Sequence, residues 1–433
     1  MTVGGRSTLI RAQHIVPVVG QPLDCGWVVI EGDAIHAIGD GPAPATDRIV
    51  DYEEAVVLPG FVNAHTHLGC AFLKGISEGS SFASWISESV APAVIRGVAD
   101  DPDRVRASAR DAARELLEGG VTAVADSFFE TVGRDALLDI GLRGVFFREH
   151  FGSMASSMKA AVAHSMQQVA QDVATLQDSE RMGFGLAPHA PYTCPSDVLR
   201  ALAGEAVSRN LLQTIHVAES AEETEFFTQG SGPFQEMFAP GDRASRYDLG
   251  QTPLAALEQV GTLGPRTLAV HCVHVDAADI DILRSTGTNV VHCPSSNLRL
   301  ATGIAPIAAM QQAEINVCLG TDSPASTGKL DMFEEMRLSV LIQRGVTGRV
   351  DSLSPADALR MATLNGAQAL GLGELVGSLE VGKQADLCVV DLSRLRHRPL
   401  VDPLTTLVMS ATPDDVVASY VAGRGAFARN DAR

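Results

Sequence analysis

Eight short apolar runs, each about the length of a β-strand, recur through the middle of this 433-residue chain, and most stop at a histidine or an acidic residue. The first is Leu58-Pro59-Gly60-Phe61-Val62-Asn63-Ala64-His65-Thr66-His67; the others cover residues 121–126, 144–150, 183–189, 212–216, 267–271, 289–293 and 316–322. Between many of them lie stretches with apolar residues at helical spacing, such as 103–118, 161–176, 197–209 and 276–285. Strands alternating with helices eight times over predict an α/β fold, a (β/α)8 TIM barrel. Both ends of the chain read as β-structure. Residues 28–35 predict a hairpin turning at Glu31-Gly32-Asp33, 39–46 a loop, 377–391 a strand, turn and strand, and 416–421 a further strand. Neither end has enough apolar surface to fold alone, so the two are expected to combine into a small composite β-sandwich. The expected division is residues 1–57 for its first part, 58–369 for the barrel and 370–433 for its second part.

A TIM barrel carries its chemistry at the C-terminal ends of its strands. In this chain those ends hold His65 and His67, His189, His216, His271 and Asp322. Residues two apart on a strand face the same way, so His65 and His67 can aim two imidazoles at one point. Three imidazoles and one carboxylate, from His65, His67, His216 and Asp322, suit one divalent ion, zinc first and iron second. Such an ion brings the pKa of water towards neutrality, and the chain must then move protons. Glu219, three residues after His216, is the expected proton shuttle, Asp322 the acceptor of the proton from water, and His271 a partner of the activated water. His274 and His292 are weaker candidates, and His14, His36, His164 and His397 read as surface or structural residues. Phe82, Trp85, Phe151 and Phe227 are aromatic candidates for a substrate pocket wall, and Arg148 for meeting an anionic group.

Composition narrows the partners. The 33 basic against 52 acidic side chains leave a net charge of -19, which disfavours nucleic acid or an anionic membrane surface as a partner. No apolar run reaches membrane-spanning length, and residues 1–10 lack the basic head and apolar run of a signal peptide. The seven cysteines are scattered and odd in number, a reduced pattern. The expected setting is cytoplasmic, with a small-molecule substrate.

The run from Leu58 to His67, with Gly382-Lys383-Gln384-Ala385-Asp386-Leu387 near the far end, resembles the signatures of the amidohydrolase superfamily, and the likeness extends over nearly the whole chain. Within it the chain is similar to the cytosine-deaminase-like branch. His189-Ala190-Pro191-Tyr192-Thr193, His216-Val217-Ala218-Glu219, Ser296-Asn297-Leu298-Arg299-Leu300, Gly320-Thr321-Asp322-Ser323 and the run from Leu330 to Arg337 resemble methylthioadenosine/S-adenosylhomocysteine deaminases. Glu222-Glu223-Thr224-Glu225-Phe226-Phe227 with Gly232-Pro233-Phe234 looks more like the aminodeoxyfutalosine deaminases. The resemblance implies one divalent metal per chain, a dimer of identical chains, and hydrolytic deamination of a 6-aminopurine nucleoside or related aminated heterocycle with release of ammonia. Aminodeoxyfutalosine stands ahead of S-adenosylhomocysteine, methylthioadenosine and adenosine. It implies that His189 contacts substrate and that Glu219 works on the purine ring. Val94 stands where the first group carries a ribose-binding Glu, and Gly69 where the second carries a Glu. The alternatives are a chlorohydrolase or another amidine hydrolase of the same branch, and a non-catalytic barrel scaffold.

Overall fold

The computed structural model describes residues 7–76, 81–176 and 181–429. Its centre is one sheet of eight parallel strands in sequential order. They are β1 (Phe61–Thr66), β2 (Val121–Phe128), β3 (Arg143–His150), β4 (Met182–Pro188), β5 (Leu212–Val217), β6 (Thr267–His271), β7 (Asn289–His292) and β8 (Val317–Leu319). The sheet closes where β8 meets β1. Thr66 bridges to Asp322, the Asp322 N–H donates to the His65 carbonyl at 3.0 Å, and the Asn63 side-chain amide donates to Thr321 Oγ1 at 2.7 Å. Helices follow most strands, and their bounds lie within a few residues of the expected ones: Pro102–Glu118, Met158–Thr175, Ser196–Arg209 and Ala277–Thr286. The chain is thus a TIM barrel carrying an additional domain built from both ends.

The barrel interior is filled by alternate residues of its strands. Val62 and Ala64, Ala123 and Ala125, Val145 and Phe147, Ala187, Leu212, Leu268 and Val270, and Cys318 form one buried cluster, covered by Ala367, Leu370 and Val376. This two-residue period sets which side chains further along each strand can reach the barrel axis.

The end domain has two sheets. One holds Ala34–Gly39, Trp27–Glu31, Ser7–Arg11 and Arg48–Asp51 in that spatial order. The other runs Arg424–Ala428, Val416–Val421, Leu387–Asp391, Ala55–Pro59, His14–Ile15 and Leu23–Asp24, so strands from the two ends of the chain lie side by side. Ile10, Ile15, Val28, Ile30, Val57, Leu387 and Val389 pack in its core. The barrel strand begins at Phe61, after Pro59-Gly60, whereas Leu58 and Pro59 end a strand of this domain, where Leu58 pairs with Cys388. One strand expectation changes. Of 377–391, only Leu387–Asp391 is a strand, because the glycines and the turn at Gly382 keep the earlier residues out of the ladder.

Two residues of the terminal signatures fix the junction. Gly60 links the two strands at a point where a β-carbon would lie 2.2 Å from the Thr122 side chain, so no other residue fits. Asp386 receives Arg143 through Nε at 2.7 Å and Nη2 at 2.9 Å, and also the Ala422 N–H at 2.8 Å. Both partners of this ion pair are buried, and its geometry ties the foot of β3 to the end domain. Among the described residues no helix is long and apolar enough to cross a membrane. The seven cysteines are all free, and only Cys25 is exposed.

Candidate metal centre and active site

Four side chains named from the sequence converge at the C-terminal mouth of the barrel. His216 Nε2 lies 3.2 Å from His65 Nε2 and 3.2 Å from His67 Nε2, and Asp322 Oδ1 lies 3.5 Å from both His65 Nε2 and His67 Nε2. All four are buried. Hydrogen bonds behind two of the imidazoles set their tautomers. His67 Nδ1 donates to the Ser127 carbonyl at 2.8 Å, and His216 Nδ1 donates to the His189 carbonyl at 2.6 Å. With Nδ1 carrying the proton, a neutral ring turns its Nε2 lone pair inward. Burial, then the neighbouring imidazoles His65, His189, His67 and His271, push the His216 pKa well below its ordinary value. Lone pairs facing one another at 3.2 Å repel unless a cation lies between them. A divalent ion bonded at about 2.0–2.1 Å with tetrahedral angles spaces its donors about 3.3–3.4 Å apart, close to the distances found here. The donor set therefore fits a divalent metal.

Local backbone geometry brings these groups together. The β1–β2 register slips between Asn63 and Thr66, a bulge that places two β1 residues against one of β2. Simple alternation would put His65 and His67 opposite Val62 and Ala64; the bulge turns them towards the axis. His271 likewise falls out of step with Leu268 and Val270, and it reaches the cluster with φ +75°, in the left-handed region. Ala218 and Asp322 also have positive φ, +51° and +58°. Non-glycine residues held there cost roughly 1–3 kcal/mol each, and such strain collects at functional sites. Further bonds hold the strained residues. Asp322 Oδ2 accepts from Ser296 Oγ at 2.5 Å and Ser326 Oγ at 2.9 Å, while the Thr66 hydroxyl donates to the Asp322 carbonyl.

Glu219 sits above the cluster, its carboxyl oxygen 3.6 Å from His271 Nε2. Its backbone is clamped by Glu223, whose carboxylate accepts from the Ala218 and Glu219 N–H groups at 2.9 Å each. Ser220 caps the helix Ala221–Gln229 that carries Glu223. Burial raises the Glu219 pKa well above the usual carboxyl range, and the charges of Asp322, Glu223 and Glu222 add to it. Asn297 donates to His271 Nδ1 at 3.0 Å, which leaves the proton of a neutral ring on Nε2. His271 therefore offers this site a donor rather than a lone pair. Burial lowers its pKa to about 4.

A cavity of about 800 Å3 opens over this floor, lined by His67, His189, His216, Glu219, His271 and Asp322 below and by Phe82, Trp85, Val94, Phe128, Phe129, Phe151 and Leu300 above. The size suits a small molecule. His189 holds Thr193 Oγ1 at 3.0 Å through Nδ1, and its ring lies against Phe151 with centroids 4.8 Å apart. Trp85 begins a π-helical turn, Trp85–Val90, and stacks on Phe82.

Other candidates fall elsewhere. Arg148 does not line the cavity: it forms a bidentate pair with Asp172 at 2.8 Å and 2.8 Å and donates to the Phe129 carbonyl. The reason is strand parity. Val145 and Phe147 face the axis, so the next axial residue of β3 is Glu149 and Arg148 faces the helix layer. Phe227 packs in the core against Phe226. His274 is held by the Thr302 carbonyl at 2.6 Å, and His292 is buried away from the cavity lining. His14 pairs with Asp24 and His397 with Ser410, while His164, expected to be merely surface or structural, lies on the cavity mouth.

The sequence reading missed Glu149. It lines the cavity 3.5 Å from His67 Nδ1, with one carboxyl oxygen buried and unpartnered. Counting by twos from Val145 would have found it. Ser296, Ser326 and Asn297, which orient Asp322 and His271, carried no signal readable from spacing. Gly69 faces Phe128, with a β-carbon position 2.4 Å from that ring, so a larger side chain is excluded there.

Comparison with known proteins accords with this geometry. The amidohydrolase family model matches residues 56–425. A 5-methylthioadenosine/S-adenosylhomocysteine deaminase of Moorella thermoacetica is 34% identical over 98% of this chain and 95% of its own. A 5'-deoxyadenosine deaminase of Methanothermobacter thermautotrophicus is 32% identical over 96% of this chain and 92% of its own. The crystal structure of an adenosine deaminase from Xanthomonas campestris with bound zinc superposes with a TM-score of 0.84 and 32% identity, covering 96% of this chain and 92% of that one. With a match across both the barrel and its flanking strands, this chain belongs to the amidohydrolase family, hydrolases that act on C–N bonds.

Proposed function

We propose that this protein is a zinc-dependent hydrolytic deaminase of a 6-aminopurine nucleoside, releasing ammonia from the C6 amine. The observation that carries the reading is the placement of Glu219: a buried carboxyl of raised pKa, 3.6 Å from His271 Nε2, over three imidazoles and a carboxylate that fit one divalent ion. His65, His67, His216 and Asp322 would hold the ion, which supplies Lewis acidity and brings the pKa of water towards neutrality. The donor set favours zinc, with iron as the second choice.

The side chains divide the proton work. Asp322 accepts a proton from the attacking water, and its other oxygen stays fixed by Ser296 and Ser326. Glu219, whose burial favours the protonated form, protonates the ring nitrogen beside the reacting carbon. The proton taken from water goes on to the departing amine, and the hydroxyl of the adduct returns its proton to Glu219 as the carbonyl forms and ammonia leaves. His271 donates from Nε2 to the oxygen that adds to the ring. His189 contacts the purine edge, with Trp85 and Phe151 packing on its faces. The relatives named above, which deaminate nucleosides of this kind, support the choice of substrate. Ammonia release measured over a panel of adenosine, 5'-deoxyadenosine, methylthioadenosine, S-adenosylhomocysteine and aminodeoxyfutalosine tests the reading, beside metal analysis of the purified protein. Stoichiometric metal with ammonia from at least one substrate is expected. Tightly bound metal without ammonia from any of them refutes the deaminase assignment.

A further inference from the structure

The floor and the wall of the cavity differ in kind. Among the described residues, every acidic group that lines it, Glu149, Glu219 and Asp322, belongs to the floor. The wall above is built from Phe82, Trp85, Val94, Phe129, Met154 and Leu300. Among the described lining residues there is no Lys or Arg. Arg148, the nearest basic residue on the barrel strands, is committed to Asp172 and the Phe129 carbonyl. Arg200 and Arg246 line an adjoining cavity of about 400 Å3 that shares Ser156 with this one; there they lie with Asp197 and Asp248, and Arg246 donates to the Ala155 carbonyl rather than lining the larger cavity. Among the described wall residues, His164 at the mouth is the one basic side chain. Ser153, Ser156 and Thr193 can bond a hydroxyl, but they do not neutralise a charge.

Resting on the deaminase reading, we propose that this cavity selects substrates whose group beyond the aminated ring is uncharged and apolar. A carboxylate or ammonium carried by that group would lose water on entering and meet no Lys, Arg, Asp or Glu among the described wall residues, with His164 only at the mouth, and an uncompensated buried charge is among the most costly contacts a site can make. A carboxylate would also face the acidic floor. A thioalkyl or deoxy group instead gains apolar contact with Phe82, Val94, Met154 and Leu300.

Three adenosine 5'-thioethers of nearly equal size test this on the metal-loaded enzyme: propylthio, 2-carboxyethylthio and 2-aminoethylthio. Both ammonia release and equilibrium binding are measured for each. The neutral compound is expected to exceed both charged ones at least about ten-fold in kcat/KM and in affinity. Charged compounds within about three-fold of the neutral one, in both measurements, overturn the proposal. Should none release ammonia while the neutral compound still binds about ten-fold tighter, the deaminase reading falls and the preference stands. Met154 is exposed, so Met154→Arg places a cation at the wall without disturbing the core. It is expected to raise the carboxylate compound relative to the neutral one at least about five-fold. An unchanged ratio overturns the placement of the group against this wall.

Discussion

Replacing Glu219 by Gln separates chemistry from folding. The carboxyl is buried, 3.6 Å from Nε2 of the neutral His271 ring. Its backbone is held by Glu223 rather than by its own side chain, so the loop keeps its shape in the variant. Gln has the same size and cannot exchange a proton. Loss of a positioned general acid–base costs about 10^2- to 10^4-fold in rate. The effect on stability has the opposite sign. Burial raises the Glu219 pKa, so above the unfolded carboxyl pKa the group disfavours the folded state, and a neutral amide removes that penalty. The variant is therefore expected to lose about 100-fold or more in kcat for ammonia release, with metal content unchanged and a melting temperature no lower than the parent. Activity within about ten-fold of the parent would remove Glu219 from proton transfer. A full loss of activity with lost metal or early melting would instead make it a structural residue.

Two further outcomes follow from other side chains. Substituting both Ser296 and Ser326 by Ala takes away the two hydroxyls that hold Asp322 Oδ2; metal affinity, read by competition with a chelator, is expected to fall about 10- to 100-fold, and an unchanged affinity would sink the orienting role. Glu335, buried and bonded by the Ser295 N–H at 3.1 Å and the Ser295 hydroxyl, has its pKa raised by burial to about 8. A raised folded pKa means that its contribution is complete below the unfolded value and is lost as pH rises through about 8. Urea unfolding at pH 6 and pH 9 should show the parent losing roughly 2 kcal/mol more than Glu335→Gln across that interval, and parallel losses would refute the assignment.

The sequence by itself determined the architecture and the donor chemistry. Eight apolar runs with helices between them demand a surface buried on both faces, and a closed parallel barrel provides it. His65, His67, His216 and Asp322 were legible because each stands where an apolar strand stops, and local pattern records that position. The strand expected within 377–386 was misjudged, and Leu58-Pro59 proved to belong to the end domain, because an apolar run does not say which sheet takes it.

Only the tertiary structure decided which strand-end side chains face the axis. Parity along β3 selects Glu149 over Arg148, whereas the bulge in β1 and the left-handed φ of His271 reverse the parity that alternation predicts. The bonds that orient the site, from Ser127 to His67, from Ser296 and Ser326 to Asp322 and from Asn297 to His271, join residues 26 to 60 apart or, for Ser326, one helical turn away. Such pairs meet only when neighbouring strands settle into register. Register is a property of the closed sheet, and no single stretch of the chain encodes it.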